Sequence, residues 1–400
     1  MAIGCFLDNN NICVKLDFDT YVVSRQKNNQ SRLALIPSYK RRSMNVDNFD
    51  FKNGDYEEYK ALVFDILSYP KPPDTEIFKN ILRETLSAYS GENEEIRPKD
   101  KNGFGGGLID LSGAERVVII PDLHARRSFL KETLLFSING DGVSIFERLE
   151  DKSLTVLCLG DGVHSEGAYL NRWLRAYDEY KKGFDKSPNM DMEIADSFNL
   201  MLAVMLLKIR YTDNFHFLKG NHENILNETA NGNYAFAKFA NEGAMTLSYF
   251  QKKYGEEILA NYSKFEKELP LFVVGKNFLA SHSEPGYFFT RDQIINHRDD
   301  PDLIAALTWT DNYSAEEGSV DKIISYFIPE NDDCTYYFGG HRPIKDLYNK
   351  INNDRYVQIH NPRRKIVCLI DRDRRIDLDR DIIEIAKDEK KSIFKKENPI

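Results

Sequence analysis

From residue 115 onward the chain keeps one rhythm. Short apolar runs end in a glycine or polar turn, and longer stretches with apolar positions three or four apart follow. The runs at 117–121, 155–160, 215–218, 278–281 and 335–340 read as strands, and the continuous apolar character of 117–121 suits a strand covered on both faces. Helix-like stretches begin near Ser128 and run over 168–182, 190–210, 234–254 and 256–268. The 168–182 stretch places Leu170, Trp173, Leu174, Tyr177 and Tyr180 on one face. In 190–210, Asp191, Glu193 and Asp196 come early and Lys208 and Arg210 late, which complements a helix dipole. Gly275-Lys276-Asn277 predicts a hairpin between 271–274 and 278–281. Asn361-Pro362-Arg363-Arg364 predicts a second between 356–359 and 365–370. Strands fall before and after the central helices. The pattern predicts an α/β chain with two stacked mixed sheets and helices outside, a four-layer αββα sandwich.

The first hundred residues follow a different pattern. Runs at 3–7, 12–18, 21–24 and 33–36 are β-like, with Asp8-Asn9-Asn10-Asn11 as a turn. Helices are expected over 56–67 and over 74–89, the latter capped by Asp74. Residues 90–102 are polar and read as a linker; the glycines of 103–107 suit a flexible joint or an ordered turn equally. The expected organisation is an α+β appendage with linker over 1–102 and a catalytic domain over 103–375. That domain carries a helical insertion at about 168–212, and a charged tail, helical in part, covers 376–400.

Composition narrows the partners. The chain is 42% hydrophobic and 29% charged, an ordinary globular balance, and its net charge of -9 argues against general nucleic-acid binding. Lys40-Arg41-Arg42 and Arg363-Arg364-Lys365 read as solvated turns. The five cysteines show no paired spacing and three lie in apolar runs, which points to reduced thiols and a cytoplasmic setting. The most apolar helix candidate, 198–209, is shorter than the roughly 20 residues a bilayer requires, so no membrane partner is expected.

The candidate chemistry sits at the ends of the strand runs. Run 117–121 leads into Asp122 and His124, run 155–160 into Asp161, and run 215–218 into Asn221 and His222. The later runs lead into His282 and His341. Open α/β sheets place their sites at such strand ends. Five segments delivering metal-binding residues there predict a dinuclear metal hydrolase. Phosphate ester hydrolysis needs charge neutralisation, a hydroxide at neutral pH and a proton for the leaving group; two cations roughly 3.5–4 Å apart supply the first two. Asp161 is the natural bridge between them. Asp122 and His124 can grip one ion, and Asn221, His282 and His341 can complete the other.

Pro121-Asp122-Leu123-His124, Gly160-Asp161-Gly162-Val163, Gly220-Asn221-His222-Glu223, Ser281-His282 and Gly340-His341 together resemble the calcineurin-like metallophosphoesterases, over about residues 117–370. The resemblance implies Asp122, His124 and Asp161 on the first metal, and Asp161, Asn221, His282 and His341 on the second. It implies His222 as general acid and attack by a dimetal-bound hydroxide. Many members end in GHxH, whose second histidine is another ligand; here that place is Pro343. Gly339-Gly340-His341-Arg342-Pro343 and Leu307-Thr308-Trp309-Thr310-Asp311 look more like the phosphoprotein phosphatase branch. That branch's GDxVDRG block departs here, because His164 replaces the carboxylate that orients the acid and the phosphate-gripping arginine is missing. Glu166, two residues away, is the candidate substitute for that carboxylate.

Arg126, His164 and Arg342 are candidate substrate contacts; Arg172 and Lys219 read more simply as surface charges. His216, His297 and His360 lie outside the motifs and read as structural. The two helices of the insertion are expected to wall the site. The expected cofactors are two divalent ions, Mn²⁺ first, with iron or zinc as alternatives. The expected activity is that of a phosphatase resembling the Ser/Thr enzymes, with a phosphorylated small molecule, nucleotide or phosphoprotein as substrate. A phosphodiesterase or dinucleoside polyphosphate hydrolase is the alternative, and a catalytically weak metal-binding regulator a further one.

Overall fold

The structure is a computed structural model describing residues 12–17, 20–25, 49–138 and 140–385. Two compact units divide the chain at Phe49 and Asp50. In the first, β1 (Ile12–Asp17) and β2 (Thr20–Arg25) form an antiparallel hairpin. The runs expected at 3–7 and 33–36 lie outside the described residues.

The second unit opens on α1 (Tyr56–Ser68) and α2 (Thr75–Ser90), whose first-turn amides are capped by Asp55 and Asp74. Strands β3 (Leu108–Leu111) and β4 (Arg116–Ile120) lead to α3 (Arg127–Leu135), α4 (Ile145–Glu150) and β5 (Thr155–Cys158). Helices α5 (Leu170–Lys181) and α6 (Pro188–Arg210) precede β6 (Phe215–Phe217), and α7 (Glu242–Lys253) and α8 (Gly255–Glu268) follow it. The hairpin β7 (Phe272–Gly275) and β8 (Phe278–Ser281) leads to α9 (Arg291–Ile295), α10 (Pro301–Thr308) and α11 (Ser319–Phe327). Last come β9 (Tyr336–Gly339), β10 (Asn349–Ile351), β11 (Tyr356–Gln358), β12 (Ile366–Asp371), α12 (Leu378–Asp381) and β13 (Ile382–Glu384).

The strands form two mixed sheets, β10-β11-β9-β8-β7-β3 and β13-β12-β4-β5-β6. Their inner faces meet in one apolar core, with Val117, Ile119, Leu157 and Leu159 against Val273, Ala280, Phe338 and Val357. Leu303, Leu307, Val320 and Ile324 of α10 and α11 cover the outer face of the six-stranded sheet. Helices gathered around the buried α6 flank the other sheet. Helices outside two stacked sheets make the four-layer αββα sandwich. No helix among the described residues is long and apolar enough to cross a membrane.

Several local features differ from the sequence expectation. Helices α1 and α2 pack on α6 and α8, and Phe78 of α2 meets the rings of Phe198, Phe250, Tyr254 and Tyr262. The polar stretch after α2 is tied down as well, since buried Glu92 pairs with Arg97 and with Lys208 of α6. Both therefore belong to the unit that holds the sheets. Helix α7 starts at Glu242 and not at residue 234, because the Glu242 carboxylate accepts the amides of Lys238, Phe239 and Ala240, and Asn227 Oδ1 takes that of Phe236. The expected hairpin at 356–370 is a crossover, with β11 in one sheet and β12 in the other. The charged tail continues as β13, paired with β12; residues from 386 lie outside the described residues.

Candidate metal centre

Strands β4, β5 and β6 of one sheet and β8, β9 and β11 of the other all end at the same rim. The turns that follow hold tight, strained backbone. His124, Asp161, His164 and His341 have φ of 42°, 50°, 62° and 60°, in the left-handed region that non-glycine residues avoid. Cross-turn bonds sustain these conformations. His124 N–H donates to Asp161 O at 2.7 Å, and His341 N–H donates to Asp122 Oδ2 at 2.9 Å. Buried Glu223 accepts the amides of Asp161, Gly162 and Gly220 at 2.8–2.9 Å, fastening the β5 turn to the β6 turn. Gly340 lies so close to Asp122 that a Cβ there would stand 1.8 Å from Oδ1.

The strand-end residues converge. His124 Nε2 lies 3.9 Å from Asp122 Oδ2 and 3.6 Å from Asp161 Oδ2. Asn221 Oδ1 lies 3.0 Å from His282 Nε2 and 2.9 Å from His341 Nδ1, and His282 Nε2 is 3.4 Å from Asp161 Oδ2. Asp161 thus faces both groups, as a bridge must. Donors of one ion, with bonds of about 2.0–2.3 Å, stand roughly 3–4 Å apart, which matches these separations.

Two tautomers follow from bonding. The Nδ1 atoms of His124 and His282 face the carbonyls of His164 and Leu159 at 3.1 and 2.9 Å. A carbonyl only accepts, so Nδ1 carries the hydrogen and Nε2 presents its lone pair inward. Burial lowers the imidazole pKa of His124 to about 4 and of His341 to about 2, so both rings are neutral at pH 7. Burial, with Glu223 and Asp122 nearby, pushes the Asp161 carboxyl well up. Crowded carboxylates and inward lone pairs are a donor set for cations. Asp122 Oδ1 and His341 Nε2 are buried without a hydrogen-bond partner, which fits the same reading.

His222 lies beside this cluster. Its Nε2 is 3.8 Å from Asp161 Oδ2, and its Nδ1 is 3.1 Å from His164 Nδ1. His164 in turn faces Thr246 Oγ1 at 3.2 Å, and Phe236 stacks on it at 5.3 Å. His164 is therefore a buried partner of His222. Helices α5 and α6 hold this turn: Trp173 Nε1 donates to Ser165 O, and Glu193 accepts from Ser165 N and Oγ.

The basic side chains near the motifs have these partners. The Arg126 guanidinium donates to the carbonyls of Asp122, Leu123, Asn361 and Arg364. Arg172 is occupied by Glu193, Asp196 and Ser165, and Lys219 Nζ donates to Glu223 O. Arg342 is exposed beside His341 and paired with Asp311, whose carboxylate is 3.7 Å from His341 Nε2.

Two residues join the centre that the motifs did not indicate. His360, read above as structural, is fully buried next to the first group, and its donor atoms with those of Asp122 and His124 lie within 4.8 Å of one another. Glu166 faces His124 and His360 and not His222. A signal for His360 was present: it ends the apolar run 356–359 as the other site histidines end theirs. The hairpin assigned to 356–370 hid it, because a hairpin would keep both strands in one sheet. His216 and His297 lie elsewhere; His216 Nε2 meets Asp213 O and burial lowers both imidazoles.

Residues 115–345 match the family model described as calcineurin-like phosphoesterase. Among solved structures, the chain is similar to a protein serine/threonine phosphatase from Saccharomyces cerevisiae. Identity is 14% and the TM-score 0.53, over 82% of this chain and 95% of that one. It is also similar to a cold-active protein-tyrosine phosphatase of a psychrophilic Shewanella, at 14% identity and a TM-score of 0.38, over 69% of this chain and 82% of that one. No curated protein matches the chain by sequence.

Proposed function

The chain belongs to the calcineurin-like phosphoesterase family, and from that premise we propose that it is a dinuclear phosphatase resembling the Ser/Thr enzymes. The observation that carries this reading is the position of Asp161 Oδ2, within 3.4–3.8 Å of His124, His282 and His222 at once. Asp122 and His124 would hold the first ion together with Asp161, and Asn221, His282 and His341 would hold the second with it. When bound, the ion pair neutralises the phosphoryl oxygens and acidifies water for attack on phosphorus. His222 acts as the general acid, its Nε2–H giving a proton to the leaving oxygen.

His164 holds Nδ1 of His222 as a neutral partner, so the acid lacks the carboxylate that would stabilise its charged form. Carboxylate and amide oxygens suit Mn²⁺ and the imidazoles suit iron or zinc, so Mn²⁺ is the first ion to test, with iron or zinc as alternatives. Cys158, Cys334 and Cys368 are free, and two of them are buried, which supports a reducing, cytoplasmic setting.

Tyr234 meets Trp309 at 5.2 Å beside His341, and both rings lie near the site. This aromatic wall supports a second reading, with a nucleotide or aryl ester as substrate. The purified protein with Mn²⁺ should be assayed on phosphopeptides, alkyl and aryl phosphomonoesters, cyclic nucleotides and dinucleoside polyphosphates. Turnover highest on phosphomonoesters supports the phosphatase reading. Turnover confined to diesters or dinucleotides selects the second, and none on any substrate leaves a metal-binding regulator.

A further inference from the structure

We infer that His360 is a ligand of the first cation, that Glu166 clamps it, and that the first site therefore retains its ion far longer than the second. This rests on the dinuclear reading above.

The geometry is specific. His360 Nδ1 lies 3.8 Å from Asp122 Oδ2, the spacing of two donors on a common ion, and Nε2 lies 3.3 Å from Glu166 Oε2. The His124 and His360 rings are 5.2 Å apart. His360 is 0% exposed, and neither ring nitrogen meets hydrogen-bond geometry with any described residue; Glu166 Oε2 is buried in the same condition. Buried imidazoles and carboxylates are rarely left so, and an ion on Nδ1 with Glu166 at Nε2 satisfies all three atoms. A carboxylate on the far nitrogen of a metal-bound histidine is a recurrent way of fixing the ring and strengthening it as a donor.

The backbone is built to deliver this ring. His360 follows β11 at the crossover between sheets, where Ile359 N–H donates to Gly339 O and Ile344 N–H to His360 O. Arg126 bonds Asn361 O and Arg364 O on one side and Asp122 O and Leu123 O on the other. It thereby fixes the segment after His360 to the β4 end that carries Asp122 and His124. Arg126 is thus a positioning residue for the first site. The imidazole that the terminal motif lacks at Pro343 arrives from another strand.

Charge count then separates the two sites. The first has Asp122, the shared Asp161 and the nearby Glu166 as carboxylates. The second has only Asp161, beside neutral Asn221, His282 and His341. Affinity for a divalent cation rises with the number of anionic ligands.

The test follows release of Mn²⁺ from the full-length, Mn²⁺-loaded protein into excess chelator, with metal counted by elemental analysis. Wild type should lose one ion quickly and one slowly. Glu166→Gln, nearly isosteric, should speed the slow phase by about 10–100-fold and leave the fast phase unchanged. His360→Asn should abolish the slow phase; circular dichroism checks its folding, and Glu166→Gln decides if it does not fold. Asn221→Ala should remove the fast phase only. A slow phase unmoved in both His360→Asn and Glu166→Gln overturns the inference, as does simultaneous loss of both ions from wild type, and either leaves the dinuclear reading intact. A protein that binds fewer than two ions overturns both.

Discussion

Glu92 gives a quantitative test of whether the segment after α2 is part of the catalytic unit. Its carboxylate, with the side chain 5% exposed, meets Arg97 Nη1 at 2.6 Å and Lys208 Nζ at 2.5 Å. Lys208 also donates to the carbonyls of Thr212 and Phe215, so the cluster links the residues after α2 to α6 and β6. Burial alone would raise the Glu92 pKa, but Arg97 and Lys208 outweigh it and lower the value from 4.5 to about 2. A depressed carboxylate stabilises the fold above its unfolded pKa and loses that contribution as pH falls through the folded one. At 1.36 kcal/mol per unit the full effect is about 3 kcal/mol, of which about 1 kcal/mol is lost between pH 7 and pH 4. Burial pulls the Lys208 pKa down as well, so the prediction is confined to the acid limb.

Glu92→Gln leaves two buried cations without their partner, which typically costs about 3–5 kcal/mol. Against a usual total of about 5–15 kcal/mol this is a large fraction. Urea unfolding followed by tryptophan fluorescence at pH 7 and pH 4 measures both effects. The variant should be several kcal/mol less stable at pH 7, and the gap should narrow by about 1 kcal/mol at pH 4. A gap near zero at pH 7, or one that widens on acidification, refutes the reasoning.

A chain starting at Gly103 should fail to fold, since it uncovers the aromatic faces of α6 and α8 that Phe78 fills, whereas one starting at Asp50 should melt close to the full chain; thermal denaturation separates them. Asp161→Asn should lose most of both ions on elemental analysis, and full retention would remove the bridge assignment. His222→Asn should keep its ions and lose about 10²–10⁴-fold on an alkyl phosphate but far less on p-nitrophenyl phosphate, whose leaving group needs little protonation. Equal losses on both esters would remove His222 as the acid.

The parts of the fold legible in the sequence were those set by short-range pattern. Continuous apolar runs marked most strands of both sheets, though not the edge strands β3, β10 and β13, and Asp74 marked a helix start that its side chain does cap. The strand-end residues Asp122, His124, Asp161, Asn221, His282 and His341 could be read because each follows such a run, and the structure gathers them at one rim. Features set by distant partners were not legible. Local periodicity cannot show that Glu242 withholds its preceding amides from a helix. Nor does turn chemistry at residues 361–364 reveal that the chain there changes sheets, which is what carries His360 to the site. Arg126 sat beside Asp122 and His124 in sequence, yet its guanidinium meets four carbonyls that only folding brings together.

The central claim is that Asp161 bridges two ions in one centre. Electron paramagnetic resonance of the protein carrying two equivalents of Mn²⁺ tests this most directly. Ions bridged at roughly 3.5–4 Å couple their spins, so wild type should show an exchange-coupled spectrum that collapses in Asp161→Asn. Two uncoupled Mn²⁺ signals, or binding that saturates at a single ion, would contradict the account.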